Sequence, residues 1–140
     1  MTFEQALALV AGQRLGVLVT LRGNGRPQTS NVVYAVRDGQ VRVSLTEDRA
    51  KTKNLRRDPR ATLHVSTADG SAWAAVEGTA ELSAVTTTPG DEVGCALAEL
   101  YVDIGGSAHP DWDAYHRAMV DERRLLLTLS LTHGYGGGAG

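Results

Sequence analysis

Six of the chain's 14 lysine and arginine residues lie between Arg49 and Arg60: Arg49, Lys51, Lys53, Arg56, Arg57 and Arg60. Only one of its 16 acidic residues, Asp58, lies among them. The whole chain carries a net charge of −2, so this is a cationic spot on an acidic body. Such a spot suits a small anion better than a long polyanion, and no nucleic-acid partner is expected. Ser44 closes a predicted strand, and Arg49-Ala50-Lys51 opens a predicted helix with Asp48 as its N-cap candidate. Backbone N–H groups at a helix start, an arginine fork and a lysine point charge together make a phosphate pocket. The same spacing also describes a solvated, charged helix face. A second stretch, Gln28-Thr29-Ser30-Asn31, is polar inside an otherwise apolar strand. It can offer amides and hydroxyls to a heteroaromatic ring, or simply show an edge strand to water. His109 and His116 flank Asp111 and Asp113, but Pro110 separates them, and no metal site is expected. His64 reads as structural. The lone Cys95 excludes an internal disulfide framework and is expected to pack in its apolar helical stretch. No nucleophile elbow, Walker loop or dinucleotide fingerprint is present.

The elements that must position these residues can be read from pattern. The chain has 140 residues, 42% of them hydrophobic, which predicts one domain over residues 1–140. No apolar run reaches the ~20 residues of a membrane span. The segment from Met1 to Gly12 carries Glu4 and no basic residue, unlike a secretory signal. A soluble cytoplasmic protein with no membrane partner is expected. Thr2 and Gln5 have capping-box spacing ahead of a helix to Ala11. Strands are predicted at 15–21, 28–36, 41–45, 61–66 and 72–82, with hairpin signals at Gly23-Asn24-Gly25 and Asp38-Gly39. Gly78 marks a candidate bulge. Helices follow at 49–57, 91–104 and 111–124, then a strand at 125–132 and a loose glycine-rich tail at 134–140. Six antiparallel strands with edges to close predict a small β-barrel.

Taken in order, the blocks Gly25-Arg26-Pro27-Gln28-x-Ser30-Asn31-Val32 and Arg49-Ala50-Lys51-Thr52-x-Asn54-Leu55-x-x-Asp58-Pro59-Arg60-Ala61 carry a family resemblance. Val76-Glu77-Gly78-Thr79-Ala80, the helix of Trp112 and Tyr115, Met119 and the Arg123-Arg124 pair extend it over nearly the whole chain. The chain resembles the pyridoxamine 5′-phosphate oxidase-like split β-barrel superfamily, and within it the small branch using the deazaflavin coenzyme F420. The longer true oxidases carry basic residues near the C-terminus for the substrate phosphate. This chain has none there.

The resemblance implies a mainly β fold, a six-stranded antiparallel split β-barrel of the FMN-binding kind with peripheral helices. It implies a homodimer with cofactor sites at the interface. Arg49 and Lys51 would hold the cofactor phosphate, with Ala50, Ser44 and Asn54 nearby. Gln28, Ser30, Asn31 and Val32 would run along the ring system, and the strand around Trp73 would come from the partner subunit. The implied reaction is hydride transfer between F420 and an unsaturated or conjugated small molecule. His133 and Tyr135 are candidate proton donors. Lys53, Arg56, Arg57 and Arg60 exceed the need of one phosphate and would meet the coenzyme's acidic polyglutamate tail. FMN on the same scaffold, or a non-catalytic cofactor carrier, are the alternatives.

Overall fold

A computed structural model describes residues 1–138. Helix α1 (Phe3–Ala11) is followed by strands β1 (Leu15–Leu21), β2 (Pro27–Val33), β3 (Ala35–Arg37) and β4 (Gln40–Thr46). Helix α2 (Ala50–Arg57), β5 (Arg60–Ser66) and β6 (Ala72–Leu82) come next, then α3 (Glu92–Gly105), α4 (Trp112–Asp121) and β7 (Arg124–Gly138). The seven strands form one curled antiparallel sheet in the order β2-β1-β5-β6-β7-β4-β3. This is the expected split barrel, with seven strands where six are predicted. The extra one arises because the returning strand breaks at Tyr34. That side chain is fully buried, and its hydroxyl donates to the Val10 carbonyl, which ties the end of α1 into the barrel and divides β2 from β3.

Alternation builds the core. Val41, Val43 and Leu45 of β4 face Leu125, Leu127 and Leu129 of β7 inside the curl. Leu18, Val32, Ala61, Leu63, Val65, Ala74 and Val76 complete it from the other strands, with Ala6 and Val10 of α1 and Leu55 of α2. The Thr2–Gln5 capping box forms. The bulge expected at Gly78 is a register shift between Glu77 and Gly78. A Cβ on Gly78 would lie 1.9 Å from the Ser130 carbonyl oxygen, so only glycine fits there.

The final helix ends at Asp121 and β7 begins at Arg124, where the helix is predicted to continue. The predicted loose tail is corrected too: Gly134, Gly136 and Gly137 pair with β6 opposite Val76, Ala74 and Trp73. A Cβ on Gly136 would sit 2.4 Å from the Trp73 carbonyl oxygen. These glycines therefore serve close strand approach. Residues 139–140 of the tail lie outside the described residues.

The two outer faces of the sheet differ. Helices α3 and α4 cover the β3-β4-β7 side, where Leu97, Leu100 and Tyr115 pack on Ala35 and Leu126. The outer side of β2-β1-β5-β6 and the end of β7 carries no helix. Leu15 (61% exposed), Val33 (50%), Tyr135 (42%) and Trp73 (36%) stand on that bare face. No helix of the described residues is long and apolar enough to cross a membrane. Cys95, expected to pack, is exposed.

Candidate functional site: a cationic cradle at the start of helix α2

The chain leaves β4 at Thr46 and re-enters regular structure at Ala50, with Arg49 as the N-cap. Asp48 is not the cap, correcting the sequence expectation, and Arg49 makes no side-chain cap bond. The helix start is instead tied down by the Thr52 hydroxyl, which donates to the Thr46 carbonyl at 2.7 Å. The first-turn amides of α2 thus carry no capping side chain, a condition that favours an anion.

Beside them Gln28, Ser30, Arg49, Ala50 and Lys51 line one small cavity of about 140 Å³. Five of the predicted site residues are therefore gathered in one place. The cavity holds an unsatisfied polar group. Ser30 Oγ is buried and has no hydrogen-bond partner among the described residues, a condition native proteins rarely leave unfilled. The Lys51 ammonium is held below the ordinary lysine pKa, first by burial and then by the nearby charges of Arg49 and Arg124. Arg124 went unassigned in the sequence reading, although its Arg123-Arg124 signature is visible. It sits opposite Thr46, bonds Glu122 at 2.9 Å and reaches the Ser44 carbonyl at 3.5 Å. Two arginines thus act on Lys51, which has no carboxylate partner among the described residues.

Other predicted residues take different positions. Side chains on a strand alternate faces, so Gln28 and Ser30 face the cradle while Asn31 turns to the bare face. Asn31 lies opposite Val17 and beside a hollow of about 650 Å³ that also touches His64 and Ser66. Val32 is buried in the core. Ser44 lies opposite Leu126, on the side of the sheet covered by α3 and α4, and does not line the cradle. Asn54 is only 6% exposed, and its amide is spent on Thr20, Gln28 and Arg57. Arg57 donates to Leu21 and Asn54, and Arg60 to Asp58. The Arg60 guanidinium holds the Asp58 carboxyl down to about 2. Of the four excess cations, Lys53 and Arg56 alone have no side-chain bond among the described residues.

Trp73, Tyr135 and His133 form a separate group on the bare face. His64 stacks on Trp73 with ring centroids 5.6 Å apart. Trp73 meets Tyr135 edge-on at 6.0 Å, and Tyr135 lies 5.7 Å from His133. Strand β2 borders both regions, one side lining the cradle and the other belonging to the bare face.

Residues 2–130 match the pyridoxamine 5′-phosphate oxidase family, and the chain belongs to it. Among solved structures, a conserved hypothetical protein of Mycobacterium tuberculosis is 23% identical, with a TM-score of 0.77 over 99% of this chain and 85% of that one. An F420 reductase is 22% identical, with a TM-score of 0.66 over 91% and 94%. A pyridoxamine 5′-phosphate oxidase-related, FMN-binding protein of Nostoc punctiforme is 15% identical, with a TM-score of 0.63 over 96% and 79%. At these identities the likeness is one of fold.

Proposed function

We propose that the protein is a homodimeric oxidoreductase that holds the phosphate of coenzyme F420 in the cradle and acts on an unsaturated or conjugated small molecule. The observation that carries this is the orphaned Ser30 hydroxyl beside Lys51, whose charge is raised in energy by burial and by two arginines. A phosphate answers both, accepting from Ser30 and neutralising the cations. The residues present therefore fit a phosphate-bearing cofactor. Arg49, Lys51 and the amides at Ala50 would bind its phosphate, and Gln28 would orient the portion beyond it.

When bound, the reduced deazaflavin supplies the hydride. The chain's own part is to bind, orient and exclude water. The bare face is where the second subunit would sit, since exposed apolar surface of this kind marks interaction sites. Because β2 borders both regions, a partner seated there adjoins the cradle and brings Trp73, Tyr135 and His133 towards the ring. In that cluster His133 and Tyr135 are the proposed proton donors to the substrate.

Lys53 and Arg56, exposed on α2 and without a side-chain bond among the described residues, suit the coenzyme's polyglutamate tail. That favours F420 over FMN. The F420 reductase among the structural relatives supports the same reading, and the FMN-binding relative keeps FMN as the second one.

Fluorescence titration of the purified protein with F420 and with FMN tests the choice. F420 affinity should rise with tail length and fall with added salt, each exposed charge contributing little. Tighter binding of FMN at low salt would transfer the assignment to the flavin. Oxidation of reduced F420 by candidate acceptors would separate an enzyme from a carrier.

A further inference from the structure

We propose that Arg57 and Asn54 act as a polarity relay that fixes which end of the Gln28 side-chain amide faces the cradle, and so admit only a hydrogen-bond acceptor at that point of the ligand. The inference rests on the cofactor reading above and adds a selection rule to it.

The Arg57 guanidinium has donors only. Its Nη2 donates to the Leu21 carbonyl at 3.1 Å and to Asn54 Oδ1 at 2.9 Å. The oxygen end of the Asn54 amide must therefore point at Arg57. An amide's O and N ends are normally interchangeable by a flip, and the arginine removes that freedom. The Asn54 nitrogen is then left at the other end, with two hydrogens to place. One goes to Thr20 Oγ1 at 3.1 Å and the other to Gln28 Oε1 at 2.9 Å. Thr20 and Asn54 are 1% and 6% exposed, so the bond between them is closed to water, and the Asn54–Gln28 bond is half-buried.

The same logic passes to Gln28. Its oxygen is engaged by Asn54, so its NH₂ group is the end left for the cavity it lines with Ser30, Arg49 and Lys51. A carbonyl, a phosphoryl oxygen or an unprotonated ring nitrogen satisfies that NH₂. A ligand N–H at the same point would face a donor that cannot turn around, which leaves both N–H groups unpaired beneath the bound ligand and costs affinity. Arg57 also packs under the β1–β2 turn, 3.6 Å from where a Cβ on Gly23 would lie. The relay is thus anchored in the hairpin that carries Gln28, and Arg57 and Asn54 are positioning residues for it.

The test uses the full chain with FMN as the probe and F420 in a parallel series. In ¹⁵N spectra, the side-chain NH₂ signal of Gln28, identified by its loss in Gln28→Met, should shift on adding FMN. Affinities of Gln28→Met, Asn54→Leu and the double variant should be non-additive. Each single change should weaken binding about three- to tenfold, and the double variant should be no weaker than Gln28→Met alone. Both changes are neutral and close in size, so long-range charge does not enter. A purely structural Asn54 would cost the same factor in either background, and that additivity overturns the relay, as does a Gln28 NH₂ signal that FMN leaves unmoved. Should Asn54→Leu fail to fold, the wild-type spectra alone decide. Lys51→Ala separates the two levels. Unchanged FMN affinity in that variant removes the cradle as the binding site and the relay with it. Weakened affinity beside an additive cycle overturns the relay only.

Discussion

At the residue scale the chemistry turns on Lys51. Burial, Arg49 and Arg124 all disfavour its charged form, so an anion gains by restoring it. Its folded-state pKa lies below the ordinary lysine value of 10.5, so the cation is lost earlier than usual as pH rises. Phosphate affinity should climb as pH passes up through the second phosphate ionisation near ~6, then fall on the alkaline side as Lys51 deprotonates. Lys51→Arg should push that alkaline fall to higher pH, because a guanidinium stays charged. Calorimetry across pH checks this, and an identical alkaline limb in both proteins would assign the loss to another group. The cradle was legible in the sequence to the extent that it is local. Arg49, Ala50 and Lys51 are adjacent, and Gln28 and Ser30 share a strand face. The influence of Arg124 on Lys51 was not legible, because β4–β7 pairing brings it to Thr46 from a distant part of the chain. Nor was the structural role of Asn54, which is expected beside the cofactor phosphate but spends its amide on Thr20, Gln28 and Arg57, contacts that depend on how the helix packs on the β1–β2 hairpin.

At the element scale, α2 and α3 make opposite uses of their N-termini. Helix α2 leaves its start without a capping side chain. Helix α3 spends Asp91 on its own start, accepting from Gly94 N at 2.8 Å, Thr86 Oγ1 at 2.7 Å, and the Thr87 and Thr88 amides. Those bonds hold the Asp91 carboxyl well below the usual carboxylate range. A depressed folded-state pKa gives stability that is present above the unfolded value of 3.8 and lost as pH falls. Asp91→Ala should cost about 0.5–2 kcal/mol in urea unfolding at neutral pH, with a smaller further loss below pH ~4 than the parent shows. An unchanged midpoint would mean the α3 start is held by packing alone. The bulge gives a second expectation. Gly78→Ala forces a Cβ into the Ser130 carbonyl and should destabilise by about 1–3 kcal/mol, read from the same unfolding curves. An undiminished midpoint would show that the β6–β7 register can yield there. Gly78 was readable because an isolated glycine in a strand signals close approach. The glycines of β7 were misread as a loose tail because in-register glycines and a flexible run share one composition, and only the pairing with β6 tells them apart.

At the scale of the whole molecule, the asymmetry of the sheet is the main fact. One outer side is covered by α3 and α4, while the other shows Leu15, Val33, Trp73 and Tyr135 to solvent. The proposed dimer uses that side. Leu15→Asp, which places a charge on the most exposed of these apolar residues, should shift the protein to monomer in sedimentation and weaken cofactor binding with it. A wild-type protein already monomeric at micromolar concentration, and still binding cofactor, would refute the shared-site arrangement. The barrel itself was readable from alternation and turn signals. Which of its faces stays bare was not, because that depends on where the two-helix insertion folds back.

The proposed function stands on the Arg49–Lys51 cradle holding a cofactor phosphate. Isothermal titration of FMN and of F420 into the wild type, Arg49→Ala and Lys51→Ala measures this. Each substitution removes a charge-assisted bond of roughly 1.5–3 kcal/mol, so both ligands should bind about 10- to 150-fold more weakly with the fold intact. Wild-type affinity for both ligands in both variants would show that the phosphate is held elsewhere.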